Sequence, residues 1–390
     1  MSSSTKNPRR FPLLAILTGI FIVFTIAALI AYPKVKQRWE TPLGPALELP
    51  THTPTRLLPT ATQTATLVAV MTTSATAQGI TPTSTTAPTN TVQPTSTPEP
   101  LCGGPSVMMV LGIGVDTEDD TYTYGLGDAI RVARVDFVTP KISVLTLPRD
   151  LWVEIPDISD HYDLTHGKLN QSYFYGTPGM AYYDGPGGGP GLMARTIDLN
   201  FGLRADHYGA VNMSTFARII DAVGGIDVYL PTDIDGTPFM GAEDMGYFTA
   251  GQNHFTGEEA MRFMRIRKRY NDFTRADHQT MVLCALREKV LSPSVLPKIP
   301  KIIAAFRDSV ITDLSLEQMG QMACLLPYIK RENLLFTSLP QEIFSPGRVL
   351  NPQMQNETFV LEADYNVIRD YIRQFVEGTW PAEPEEPSCP

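Results

Sequence analysis

"IRVARVDFVTPKISVLTLPRD", residues 130–150, decides how this chain folds. Two runs rich in Ile, Val and Leu, IRVARVDFV and KISVLTL, flank TPK. Such residues suit a pleated, half-buried surface, and Pro140 between the runs suits a turn. The reading is a β-hairpin. Just upstream, VMMVLGIG (107–114) is a short apolar run of the kind that forms a buried strand.

Helical signals follow. In STFARIIDAV (214–223), Phe216, Ile219, Ile220 and Val223 fall at helical spacing, and Gly224-Gly225 ends the run. IDVYL (226–230) reads as a further strand. Thr256 and Glu259 form a capping box that opens a helix through EEAMRFM. DFTRADHQTMVLCALREKVL (272–291) reads as a long helix, and YDGPGGGPG (183–191) as a flexible loop that could serve as a lid. The fold class is α/β: a single mixed sheet with an antiparallel hairpin, flanked by helices.

The hairpin also places chemistry. With strand 107–114 running up, 130–138 down and 141–147 up again, Asp116, Asp128 and Arg149 meet at one sheet edge. Carboxylate oxygens suit Mg²⁺, which takes one or two protein carboxylates plus water and phosphate oxygens; Mn²⁺ is the alternative. The neighbouring Arg suits phosphate through a bidentate contact. The bland alternatives are turn or capping roles for the two Asp residues and an ion pair of Arg149 with Asp150.

MRFMRIRKRYNDFTRAD (261–277) concentrates Arg262, Arg265, Arg267, Lys268, Arg269 and Arg275 in a chain whose net charge is −10. An acidic chain argues against a nucleic-acid binder. A local basic cluster suggests a smaller anion, a phosphate or carboxylate, against the alternative of a solvated basic face. Asp272 stands either as a general base or as a helix N-terminal residue favoured by the dipole. LGIGVDT lacks the third glycine of a dinucleotide fingerprint, and there is no P-loop and no G-x-S-x-G. The histidines read as structural. Asn170-Gln171-Ser172 matches a glycosylation triplet, a weak signal.

Composition divides the chain. Residues 1–10 form a short cytoplasmic N-terminus. Residues 11–32 are 22 uncharged residues, enough for a membrane-spanning helix. Residues 33–100 form a Thr/Pro/Ser-rich extracellular linker, as in TPTSTTAPTNTVQPTSTPEP. The folded domain spans 101–380, with its motifs in 107–290 and an extension over 291–380; 381–390 is a tail. An exported domain makes disulfides plausible for the four cysteines. Cys284 and Cys324 lie in apparent helices, while Cys102 and Cys389 bracket the domain, whose ends often lie close together. The expected pairs are Cys284–Cys324 and Cys102–Cys389.

VLGIGVD, LTLPRDLWVEIP, GKLNQSY, DHY, FARIIDAVGGIDV, AGQNHFTGEEAMRFMRIR and DFTRADHQ occur in the order found in LytR–CpsA–Psr proteins. The chain resembles that family, also called the cell envelope-related transcriptional attenuator domain, over about 107–290. The resemblance implies an α/β/α sandwich and a membrane-anchored bacterial phosphotransferase. Such an enzyme moves an anionic glycopolymer from a polyprenyl-pyrophosphate carrier to a peptidoglycan hydroxyl. It implies Asp116 and Asp128 as Mg²⁺ ligands, and Arg149, Arg265, Arg267 and Arg275 around the pyrophosphate. Asp272, Gln279 and Lys168 would be further site residues, and a lipid-chain pocket would lie between helices and sheet. The chain departs from the family at Leu126-Gly127-Asp128-Ala129, where Arg-Ser-Asp-Thr is usual, and at His278, where an arginine is common. The competing functions are a polyprenyl-pyrophosphate hydrolase and a non-catalytic lipid- or glycan-binding envelope protein.

Overall fold

The computed structural model describes residues 32–34, 36–50, 98–238, 241, 243–266, 272–306, 309–351, 356–382 and 389. The expected span at 11–32 (Tyr32 apart), the linker at 51–97 and Arg267 lie outside the described residues. Among the described residues no helix is long and apolar enough to cross a membrane. The chain divides into two units, residues 1–49 with 99–390 and residues 50–98. The first holds the fold.

Its centre is a mixed sheet of six strands. These are β1 (Val107–Val115), β2 (Gly127–Asp136), β3 (Lys141–Leu147), β6 (His207–Asn212), β11 (Val310–Thr312) and β12 (Leu334–Ser338), in the order β11-β6-β1-β2-β3-β12. Outside it β4 (Trp152–Glu154) pairs with β5 (His166–Lys168), β8 (Ile234–Gly236) with β9 (Gly246–Phe248) and β13 (Phe344–Asn351) with β14 (Asn356–Ala363). β1, β2 and β3 run antiparallel in register, Val110 opposite Ala133 and Ala133 opposite Val144. β6 joins β1 and β12 joins β3 in parallel. The hairpin read from residues 130–150 is therefore the middle of the sheet, with its turn at 137–140.

Alternation along β1 sends Met109, Leu111, Ile113 and Val115 to one face. There they pack on α1 (Leu169–Tyr175), α2 (Gly188–Phe201) and α8 (Tyr365–Glu377), against Tyr173, Leu192, Ile197, Phe201, Ile368 and Phe375. Leu111 is fully buried, and truncating such a residue to Ala costs about 2–5 kcal/mol.

The other sheet face carries small residues, Gly112 and Gly114 of β1, Ala129 of β2 and Gly209 of β6. A separate apolar cluster lies on that side, built from α3 (Met213–Ala222), α4 (Gly257–Arg265), α5 (Asp272–Val290) and the ribbon of β7 (Ile226–Leu230) with β10 (Gly251–Phe255). The IDVYL strand thus forms in this ribbon rather than in the main sheet. The Thr256–Glu259 capping box opens α4. Gly224 and Gly225 close α3 with φ of 89° and 74°, left-handed values that glycine adopts freely.

Three expectations change. Gly188–Gly191 of the glycine-rich stretch form the first turn of α2, with Gly189, Pro190 and Gly191 buried, so the stretch is a packed helix start and not a lid. Close backbone approach, with Gly189 against Tyr173, is what those glycines permit. The folded unit also begins before residue 101. Leu43 N–H donates to Leu314 O at 3.3 Å, Tyr208 Oη to Pro45 O at 3.0 Å, and Leu47 and Leu49 join the main core. The Thr/Pro-rich composition after residue 51 hid this short apolar segment. Finally, the disulfides are Cys102–Cys324 and Cys284–Cys389, with Cα separations of 5.9 and 5.4 Å. After α6 (Ile299–Phe306), α7 (Leu316–Leu325) lies against the turn at Leu101–Gly103, where Gln321 Nε2 donates to Gly103 O at 2.9 Å. The terminus-to-terminus argument could not see that packing.

Candidate functional site

Asp116 leaves the end of β1 just past a register shift at Gly114/Val115. Its backbone N–H donates to Leu126 O at 3.1 Å, and its Oδ1 accepts from Leu126 N–H at 2.5 Å. The loop between them is thereby closed. Burial pushes the Asp116 carboxyl above its ordinary range, and the Asp128 charge adds to that push; the Leu126 N–H and Arg149 oppose it.

Asp128, second residue of β2, is the hub. Its Oδ2 pairs with Arg149 Nη1, and its Oδ1 accepts from Asn170 Nδ2 at 2.9 Å. Arg275 Nη2 donates to its backbone carbonyl at 3.4 Å, with Nη1 4.0 Å from Oδ2. Arg149 follows Pro148 at the end of β3, and its Nε lies 3.4 Å from Asp150 Oδ2. Lys168 Nζ donates to the other Asp150 oxygen at 2.8 Å. Asp116, Asp128, Arg149 and Arg275 are thus brought together where strand register placed the first three.

Arg275 and Gln279 sit one turn apart on α5. Gln279 Oε1 accepts from Arg131 Nη2 at 3.5 Å, and the same nitrogen donates to Ala276 O at 3.0 Å. Arg131, 8% exposed, pins α5 to the sheet. Burial lowers its pKa to about 10, and Asp277 works against that shift.

A cavity of about 630 Å³ opens between the small-residue face of the sheet and the helices. A Cβ on Gly209 would meet nothing within 4 Å, and one on Gly112 only Arg131 O at 3.7 Å, so these positions hollow out the floor. Met213, Phe216, Met261, Met264 and Leu283 line it. Asp116, Asp128, Arg275 and Gln279 line one polar part, Asp235, Glu243 and Arg265 another. Arg265, last residue of α4, holds Glu243 at 3.0 Å. A smaller pocket shares Asp128, Arg275 and Gln279 and adds Arg149. Apolar walls with charged groups of both signs suit an amphiphile bearing a charged head.

The remaining expected residues separate. Lys168 lines neither pocket and serves Asp150. Asp272 is the first residue of α5, but its side chain lies outside the described residues. His278 is buried against Phe263, ring centroids 4.7 Å apart. Burial lowers its pKa to about 4, so it brings no positive charge near neutral pH. Asn170, 4% exposed and bonded to Asp128, is packed away from any glycosylating enzyme. Sequence named Asp150 only as an ion-pair partner of Arg149, a pair the structure forms, and Asn170 only within a glycosylation triplet; Arg131 was not singled out. The signal for Arg131 was an arginine inside the central strand run.

Asp116 and Asp128 are the residues that could hold a divalent cation of the Mg²⁺ type, in exchange for the Arg149 and Asn170 bonds that Asp128 now makes. Two carboxylates converge within each other's field, and burial leaves Asp116 short of solvation that a cation would restore.

Comparison with known proteins agrees with this architecture. The model of the LytR_cpsA_psr family matches residues 67–370. The polyisoprenyl-teichoic acid–peptidoglycan teichoic acid transferase TagU of Enterococcus faecalis is 28% identical over 62% of this chain and 74% of that protein. The protein of the same name from Oceanobacillus iheyensis is 30% identical over 62% of this chain and 68% of its own length. Bacillus subtilis TagV superposes with a TM-score of 0.53 at 24% identity, covering 70% of this chain and 98% of TagV. A Streptococcus agalactiae protein superposes with a TM-score of 0.55 at 17% identity, over 73% and 92%. The structural likenesses establish the fold.

Proposed function

Because this chain belongs to the LytR–CpsA–Psr family, we propose that it is a phosphotransferase that moves an anionic glycopolymer from a polyprenyl-pyrophosphate carrier to a hydroxyl of peptidoglycan. One observation carries the reading. Two carboxylates, Asp116 and Asp128, and two guanidiniums, Arg149 and Arg275, meet at the polar end of an apolar cavity. The transferase names of the relatives support the reaction class.

In this reading the polyprenyl chain lies in the cavity over Gly112 and Gly209. Arg149 and Arg275 donate to the pyrophosphate oxygens, with Arg265 released from Glu243 and Arg267 from the neighbouring segment adding charge. Charge-assisted hydrogen bonds of this kind contribute about 1.5–3 kcal/mol each. Asp116 and Asp128 would hold Mg²⁺ or Mn²⁺, whose charge offsets that of the phosphates. The acceptor oxygen forms a bond to the glycan-side phosphorus, the bridging P–O bond breaks, and polyprenyl phosphate departs. The hydroxyl proton passes to Asp272 by the family position of that residue. Gln279, held by Arg131, orients the phosphoryl group. Catalysis is mainly positioning and charge stabilisation. The apolar stretch 11–32 would anchor the chain and place this domain outside the membrane.

The test is turnover of a polyprenyl-pyrophosphate-linked saccharide by the full chain with and without Mg²⁺, with and without peptidoglycan. Transfer that needs both supports the proposal. Release of the saccharide to water alone would make the chain a hydrolase, and metal-independent binding without turnover would make it a binding protein.

A further inference from the structure

Three loops meet beside α1. Gly179 N–H donates to Thr123 O at 2.8 Å, joining the loop after β1 to the loop after α1. His161, from the loop between β4 (Trp152–Glu154) and β5 (His166–Lys168), stacks on Tyr182 with centroids 4.2 Å apart and planes within 5°. Tyr182 in turn lies parallel to Tyr175, at 5.6 Å and 6°. Tyr162 stands 6.4 Å from Tyr182 and is 76% exposed. Tyr124, 54% exposed, stands 6.4 Å from Phe174.

Five non-glycine residues of these loops hold positive φ: Tyr122, Asp157, Tyr162, Asp163 and Ala181, between 50° and 61°. Such backbone costs energy and persists where its surroundings enforce it, often at functional surfaces. Here it fixes a large phenol outward into water, which burial of apolar surface would not favour.

We propose that this aromatic surface, presented by Tyr162 and Tyr124 and backed by the Tyr182 stack, binds a neutral saccharide strand and is the acceptor-glycan subsite. Sugar rings present C–H faces that lie on flat aromatic rings, and their hydroxyls donate to nearby acceptors. Exposed Asp160, Asp163 and Asp184 supply carboxylate acceptors beside the rings. The same carboxylates repel a polyanion, so the surface suits the uncharged acceptor and not the anionic polymer being moved. Position agrees. α1 carries Asn170, bonded to Asp128, near one end and Tyr175, within the stack, at the other. Five residues of helix span about 7.5 Å, so a strand lying on the rings reaches the reacting phosphorus.

The assignment to the acceptor rests on the transferase reading; the saccharide binding does not. The experiment titrates the full chain with chitotetraose, a soluble neutral oligosaccharide of N-acetylglucosamine, and separately with farnesyl pyrophosphate. The Tyr124→Ala/Tyr162→Ala double variant is expected to bind chitotetraose roughly tenfold more weakly. Farnesyl pyrophosphate affinity stays unchanged, and Tyr162→Phe keeps wild-type saccharide binding. Equal saccharide affinity in the double variant and wild type, or no saturable binding to wild type, overturns the proposal. A wild-type chain that binds chitotetraose through these rings yet turns over no polyprenyl pyrophosphate would remove the transferase reading and leave the saccharide surface standing.

Discussion

Lys168 ends on Asp150: its ammonium donates to Asp150 Oδ1 at 2.8 Å, while Arg149 Nε approaches Oδ2 at 3.4 Å. The lysine therefore neutralises the carboxylate that flanks Arg149, and in the transferase reading it would act on phosphate through that arginine. Lys168→Met is expected to lower kcat about tenfold through misplacement of Arg149, with KM for the lipid donor near wild type. Steady-state kinetics decide it. A rise in KM with unchanged kcat would mean a direct substrate contact.

Arg149→Lys tests the fork itself. A lysine cannot serve Asp128, Asp150 and a phosphate together, because its charge is a single point. Loss of about 1.5–3 kcal/mol of transition-state stabilisation is expected, read as kcat/KM, with a circular dichroism spectrum like that of wild type. Full activity in the lysine variant would exclude phosphate clamping by Arg149.

The cavity makes a separable prediction. Gly209→Leu adds a side chain where a Cβ has open space, so the fold should tolerate it while the floor rises. Affinity for a long polyprenyl pyrophosphate should fall, and affinity for inorganic pyrophosphate should not. Isothermal titration with both ligands is the check; a parallel loss of the two would show that the variant had disturbed the charged end.

His278 links stability to pH. Its folded pKa of about 4 lies below the ordinary 6.5, because burial disfavours the imidazolium. Below about pH 6.5 the unfolded chain takes up the proton first. The contribution of His278 is thus complete above that value and is lost as pH falls through about 4. In His278→Gln the urea midpoint should drop less between pH 7 and 4.5 than it does in wild type. Identical profiles would assign the acid sensitivity elsewhere.

Much of this was legible in the sequence because strand register is a short-range property. Once residues 130–150 were read as a hairpin, the places of Asp116, Asp128 and Arg149 followed from direction alone. The capping box at Thr256 and the glycine stop after Val223 were equally local. What the sequence hid was long-range. Cys102 meets Cys324 across 222 residues and Cys284 meets Cys389 across 105, and no spacing rule chooses among pairings. Asn170 reaches Asp128 only because β4 and β5 fold back beside β3. The YDGPGGGPG stretch looked mobile because its glycines suit loops; the structure uses them for close packing at a helix start instead.

Removing the Cys284–Cys389 link by a double Ser substitution should lower stability by about 2–5 kcal/mol. The unfolding midpoint in denaturant reports it. Peptide mapping without reductant should return 102 joined to 324 and 284 joined to 389, and four free thiols would refute both.

The order of the bonded cysteines along the chain, 102, 284, 324, 389, makes the two covalent rings interlock rather than nest. Every peptide bond from residue 102 to residue 389 lies inside at least one ring. A protease that cuts once anywhere in that span therefore releases no fragment. The nicked protein runs as one species until it is reduced, so the domain can lose backbone continuity and still keep its parts together.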